Sequence, residues 1–175
     1  TDVLKGALTT FAHRERRTKL FAGETYLNFG MDRFFRTNTW EAFCGAPVIK
    51  GRCVSIQYSV TWFGAGAAHP NYHFLTFCFV LDPLVQIESP ESLFKKQDEA
   101  LDLIRTEVRT ALLAQDFSDD PAEPMKLDPE YVAEGTEKWS NFQNFTLGDD
   151  GITFLFGNYE VAPYVFGAQS ATVPY

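Results

Sequence analysis

The sequence predicts an α+β fold: an antiparallel β-sheet with one long amphipathic helix at about 99–115 and an N-terminal helix packed on it. Three observations carry that expectation. From Cys53 to Phe63 the chain alternates strictly, with Val54, Ile56, Tyr58, Val60 and Trp62 on one side and Ser55, Gln57, Ser59 and Thr61 on the other. Successive side chains of a strand point to opposite faces, so this is a strand with one buried and one wetter side. From Phe74 to Leu81 nearly every residue is apolar, which suits a strand covered on both faces. From 99 to 115, Leu101, Ile104, Val108, Ala111 and Leu112 recur at helical spacing, while Asp102, Arg105, Glu107 and Arg109 fall largely outside. The order helix, strands, helix, strands is segregated in the way α+β proteins are.

The first helix is expected over about 3–17, where Leu4, Ala7, Leu8 and Phe11 share a face and Asp2 can serve as N-cap. Gly6 weakens it. Residues 25–37 mix Tyr26, Phe29, Phe34 and Phe35 with charges and follow no single period. Asn38 to Cys44 alternates and reads as a strand that pairs with the Cys53 strand through Gly45–Arg52. Asp82-Pro83 ends the apolar strand, because proline removes a donor and restrains the residue before it. Ser89-Pro90-Glu91-Ser92 has the form of a capped helical turn, and Asp98 can cap the long helix. Residues 116–138 hold three prolines and many carboxylates, with at most a short helix near Pro129–Ala133, and are expected at the surface. Phe142–Leu147 and Ile152–Phe156 form a hairpin across Gly148-Asp149-Asp150-Gly151. A turn-rich stretch, 158–167, leads into a terminal strand from Ser170 to Tyr175.

A chain of 175 residues is expected to be a single domain over 1–175. Its 45% apolar and 15% aromatic content is far from disordered composition, and many of the seventeen Phe residues fall in strand-like runs that belong to a core. No apolar run approaches the ~20 residues needed to span a bilayer as a helix. The chain begins at Thr1 without Met, which leaves room for a leader or anchor upstream. The net charge of −8 is uneven: residues 1–60 hold nine Lys/Arg against five Asp/Glu, and residues 82–160 hold six against eighteen. That balance argues against a nucleic-acid partner, which needs clustered Lys/Arg, and permits steering of a cationic protein.

Three cysteines do not make a disulfide scaffold. Cys44 and Cys53 flank a loop between two strands and can bridge in an oxidising compartment, with three reduced, inert thiols as the equal alternative. Cys78 reads as a buried free thiol.

Chemistry-bearing motifs are sparse. His69 and His73 stand four apart, but Pro70 and the flanking strands oppose a helix, and no Glu accompanies them, so no metal site is expected. The loop Gly64-Ala65-Gly66-Ala67-Ala68 lacks the Lys-Ser/Thr of a phosphate cradle, and there is no Gly-x-Ser-x-Gly elbow. No cofactor is implied. Glu160, between Tyr159 and Tyr164, is the one carboxylate in an aromatic setting; it reads first as a solvated or hydrogen-bonded Glu, with a raised pKa and an acid role as the lesser alternative. His69, Pro70, Asn71 and Tyr72 on one side, with Tyr159, Glu160 and Tyr164 on the other, are the expected recognition residues. They combine backbone-permissive neighbours with aromatic and polar groups. The bland alternative is that these residues only lock two turns together.

Three segments in order carry a family resemblance. They are Ser55 to His69 with its ending Ala67-Ala68-His69-Pro70-Asn71, the Leu93-Phe94 turn with its following helix, and Asp150-Gly151-Ile152-Thr153-Phe154-Leu155-Phe156-Gly157-Asn158-Tyr159-Glu160-Val161-Ala162-Pro163-Tyr164-Val165-Phe166-Gly167. Together they resemble the bacterial extracytoplasmic domain of RsiV-type anti-sigma factors, found also beside the deacetylase domain of PdaC-type enzymes. The likeness covers residues 50–175 and leaves 1–50 as a variable lead-in. It implies an α+β domain outside the cytoplasm (periplasmic or cell-surface), often tethered by an N-terminal anchor and without catalysis of its own. In RsiV-type members it implies recognition of lysozyme. Those members usually show a Gly-Gly-Ala-His loop where this chain reads Gly66-Ala67-Ala68-His69. The function expected on this resemblance is non-catalytic binding or sensing of a cell-wall component, such as a peptidoglycan fragment, or of a wall-targeting protein such as lysozyme. The alternative is a wall-associated enzyme or accessory module using His69, Glu160 and the nearby tyrosines.

Overall fold

The structure, a computed structural model, describes residues 38–64 and 67–175. The expected N-terminal helix at 3–17 and the stretch 25–37 lie outside the described residues. Among the described residues there are eight strands and two α-helices: β1 (Thr39–Cys44), β2 (Val48–Lys50), β3 (Cys53–Phe63), β4 (Asn71–Val80), β5 (Val85–Ile87), α1 (Gln97–Ala114), α2 (Pro129–Glu134), β6 (Phe145–Leu147), β7 (Ile152–Phe156) and β8 (Gln169–Val173). The strands form two sheets, one in the order β1-β3-β4-β5 with β2 also on β3, the other β6-β7-β8. The chain divides into two compact units. Among the described residues one holds 38–42, 60–64 and 67–71, and the other 43–59 and 72–175. Everything below concerns the second unit unless stated.

The one-sheet expectation is corrected by a second sheet, and the helix packs there. In the small sheet the register Leu147↔Ile152, Phe145↔Phe154, Phe154↔Ala171 and Ile152↔Val173 puts these apolar residues on one face. Leu101, Ile104, Val108 and Leu112 of α1 are buried in one cluster with them, and α1 lies principally along β8. The apolar stripe of α1 is the one the periodicity predicts. Its partner differs because the small sheet offers a continuous apolar face, whereas β3 presents Ser55 and Gln57 on the side that was expected to be wet.

That expectation also needs correcting: Ser55 is fully buried. One edge of β6 pairs with β7, and its other edge leaves backbone N–H groups that need acceptors. Side chains of the large sheet supply them. Leu147 N–H donates to Ser55 Oγ at 2.9 Å and Phe145 N–H to Thr76 Oγ1 at 3.0 Å. The Cys78 thiol donates to the Phe145 carbonyl at 3.2 Å. Burial pushes that thiol up to about 11, so Cys78 is held as a protonated donor. Ser55→Ala leaves the Leu147 N–H buried without an acceptor and is expected to cost about 1–3 kcal/mol in urea denaturation. An unchanged midpoint contradicts this account of how the sheets join.

The Cys44–Cys53 disulfide is not made; both thiols are free. Gly45 N–H donates to Gln57 O at 2.9 Å, which sets Cys44 level with the far part of β3, while Cys53 faces Lys50 of β2. Along a strand that offset is about 13–17 Å, beyond the ~7 Å Cα separation a disulfide tolerates. Their strands β1 and β3 do pair, but the connection between them contains β2, a short strand that itself occupies the Cys53 end of β3, so the two cysteines do not stand opposite each other.

Candidate functional site

Three short elements converge in this unit, each locked by its own hydrogen bonds. The first is α2. Asp128 is its N-cap, accepting from Glu130 N at 2.8 Å and Tyr131 N at 3.1 Å, with Pro129 at the first helical position where no N–H is missed. At the other end the Arg109 guanidinium, reaching over from α1, donates to the Ala133 carbonyl at 2.9 Å and to Thr136 Oγ1 at 2.7 Å. Thr136 Oγ1 in turn donates to Val132 O at 2.6 Å. Cationic donors at a helix C-terminus satisfy carbonyls that have no intrahelical partner.

The second element is the 3₁₀ turn Trp139–Phe142. Asn141 Oδ1 accepts from Lys138 N at 3.0 Å, and Gln143 Nε2 donates to Trp139 O at 2.9 Å. Phe142 is fully buried against Phe154 and Phe156, which turns Ser140 and Asn141 outward.

The third is the turn 157–160 between β7 and the chain that leads to β8. Asn158 is bound twice to Tyr72 at the start of β4: its N–H donates to Tyr72 O at 2.8 Å, and its Oδ1 accepts from Tyr72 N at 2.9 Å. Gly157 is required for this approach, since a Cβ there would lie 2.7 Å from Tyr72 O. Glu160 Oε2 accepts from Gly157 N at 2.8 Å. Held at both ends, Tyr159 adopts a left-handed backbone with φ of 66°, a conformation costing an aromatic residue on the order of 1 kcal/mol or more. Tyr131 Oη donates to the Tyr159 carbonyl at 3.3 Å and joins α2 to the turn.

Between these elements lies an open polar cleft of about 390 Å³, lined by Tyr131, Glu134 and Gly135 of the α2 end, Ser140, Asn141, Gln143 and Asn144 of the 3₁₀ segment, and Tyr159 and Glu160 of the turn. Among the described residues its ionisable lining is two carboxylates and two tyrosines, without a cation. As a residue Glu160 is exposed, but its carboxylate is the enclosed part. Burial raises its pKa above the ordinary carboxylate value, partly offset by the Gly157 N–H.

That shift has a sign. Between the ordinary pKa and the raised one, the native state binds more protons than the unfolded chain. Glu160 therefore lowers stability progressively as pH rises through that window, and the loss is complete above the raised pKa. Glu160→Gln keeps an acceptor for Gly157 but cannot ionise. Its melting temperature relative to wild type is expected to climb from acid to neutral pH. A difference constant with pH contradicts the assignment.

The structure brings some of the expected recognition residues together. Tyr159 and Glu160 line the cleft, Tyr164 stands beside Tyr159 with ring centroids 5.8 Å apart, and Tyr72 anchors the turn through its backbone. His69, Pro70 and Asn71 belong to the other unit, where the His69 Nδ1–H donates to the Pro70 carbonyl at 3.1 Å. Sequence reasoning missed the 3₁₀ segment and the α2 end. The signal available was the run Ser140-Asn141-Phe142-Gln143-Asn144, amides around one buried ring. Among the described residues no group of three His, Cys, Asp or Glu side chains is placed to hold a metal. Among them, too, no helix is long and apolar enough to cross a membrane.

The architecture is of the α+β class, dominated by antiparallel sheets and carrying one main helix. Residues 91–175, which contain every cleft residue, match the model of a family described as a protein of unknown function, DUF3298. Among solved structures, the chain is similar to a member of the DUF3298 family from Bacteroides fragilis, with a TM-score of 0.55 at 16% identity, over 97% of this chain and 60% of that one. It is also similar to a DUF3298 family protein from Pseudomonas aeruginosa, with a TM-score of 0.49 at 17% identity, over 78% of this chain and 59% of that one. The chain thus spans about 60% of the length of the first of these, and at 16% identity the likeness to it is one of fold. No curated protein matches the chain.

Proposed function

We propose that this chain is a non-catalytic, extracytoplasmic binding or sensing domain of the RsiV-like kind, whose ligand is a cell-wall component or a wall-targeting protein such as lysozyme. The observation that carries the binding part is the cleft: three elements, fixed by their own hydrogen bonds, hold polar side chains around an open space. Preorganisation of this kind lowers the ordering cost of binding. The wall-directed part rests on the resemblance of residues 50–175 to the RsiV and PdaC domains. It is supported by the excess of carboxylates over 82–160, which favours a cationic partner.

The test is calorimetric titration with soluble peptidoglycan fragments and, separately, with a c-type lysozyme at low ionic strength, where charge attraction is least screened. Saturable binding of one of them, with the fragments recovered intact, is the expected result. Binding of neither contradicts the proposal, as does turnover of the fragments that Glu160→Gln abolishes.

A further inference from the structure

We propose that the cleft takes a saccharide, with Tyr159 as the stacking face and Ser140, Asn144 and Glu134 as hydrogen-bonding partners of the sugar hydroxyls. This rests on the binding reading above and narrows its ligand. A sugar ring has two requirements of a site. Each hydroxyl both donates and accepts, so the wall must offer both kinds of group, and the C–H face of the ring needs an apolar plane.

The cleft offers both. Among the described residues the Ser140 hydroxyl, the Asn144 amide and the Glu134 carboxylate make no hydrogen bond. Asn141 uses only its carbonyl and Gln143 only its NH₂ group, which leaves one further donor and one further acceptor at the wall. Tyr159, its ring set beside that of Tyr164 yet 48% exposed, supplies the plane through its exposed part, and the bonds of Asn158 to Tyr72 and of Tyr131 to the Tyr159 carbonyl fix its backbone. A rigid aromatic residue presents contact area at low entropic cost.

Other ligand classes fit less well. Among the described residues an anion meets two carboxylates and no cation. An apolar molecule strands the amides and the hydroxyl. A simple amine satisfies the carboxylates but offers no acceptor to the Asn141 and Asn144 N–H groups.

The experiment is a titration of isotope-labelled protein with chitotriose, cellotriose and maltotriose, and with spermidine as the amine probe, followed by amide chemical shifts. At least one saccharide is expected to give saturable shifts confined to 131–144 and 157–160. Asn144→Ala and Tyr159→Ala are each expected to weaken it about tenfold or more. The melting temperature of Asn144→Ala should stay unchanged, because that side chain bonds nothing in the fold.

The inference is overturned if no saccharide shifts these amides at millimolar concentration, if the shifts survive both substitutions, or if spermidine acts at lower concentration than every sugar. Lysozyme binding without any saccharide response removes the saccharide inference and leaves the wall-directed reading standing. Saccharide binding with no response to peptidoglycan fragments or lysozyme removes the wall-directed reading and leaves this inference standing.

Discussion

Phe142→Ala is expected to destabilise the protein by about 3–5 kcal/mol, the range for deleting a fully buried aromatic ring when the surroundings relax only partly. Phe142 has no exposed surface. Its ring meets Phe154 at 5.0 Å and 67°, Phe156 at 6.1 Å and 72°, and Trp139 at 6.5 Å and 72°, all edge-to-face arrangements. Removing it takes away transfer free energy and these ring contacts together. It also removes the anchor that points Ser140 and Asn141 into the cleft. Denaturant titration should show a lower midpoint with an unchanged slope, and ligand binding should weaken even where the variant is folded. Phe142→Leu should lose much less, since it refills most of the space. A loss below about 1 kcal/mol for the alanine variant means the ring is not the core element described here.

Gly135→Ala is expected to cost about 3 kcal/mol, at the upper end for overpacking. The backbone is not the reason. Gly135 has φ −70° and ψ −5°, an ordinary right-handed conformation that alanine adopts freely and prefers to glycine. The cost is steric: a Cβ would stand 2.0 Å from the Glu160 carbonyl oxygen, 2.9 Å from its carbon and 2.9 Å from Val161 Cγ1. Two of these atoms are backbone, and Val161 is fully buried, so the neighbours have little room to yield. Relief requires the end of α2 and the 157–160 turn to separate, which changes the cleft itself. A lower melting temperature accompanied by lost binding is the expected pair of results. A neutral or stabilised variant contradicts the close packing of these two segments.

The legible parts of this fold were those with a local period. Strict alternation revealed β3, the apolar run revealed β4, and the spacing of Leu101, Ile104, Val108 and Leu112 revealed the buried stripe of α1. The hairpin of β6 and β7 followed from turn residues around Gly148 and Gly151. What escaped was tertiary. The burial of Ser55 answers backbone N–H groups on a strand more than ninety residues away, and no pattern around Ser55 signals it. Beta strands of three residues, β2 and β5, are too short to show a period. The N-cap of α1 is Lys96, which makes no side-chain cap bond, and Asp98, the expected cap, lies in the first turn instead. At the site, Tyr159 and Glu160 were visible because carboxylate and aromatic residues adjoin in sequence. Glu134 and Asn144 were not, because contacts such as Gly135 against Glu160 join distant segments and leave no mark on either.

The central claim is that ligands are received at the cleft between α2, the 3₁₀ segment and the 157–160 turn. Hydrogen–deuterium exchange of the protein, alone and saturated with soluble peptidoglycan fragments, tests it most directly. The account predicts added protection in 131–144 and 157–160, with the rest of the chain nearly unchanged. Protection confined to the 67–71 loop, or no change anywhere, contradicts it.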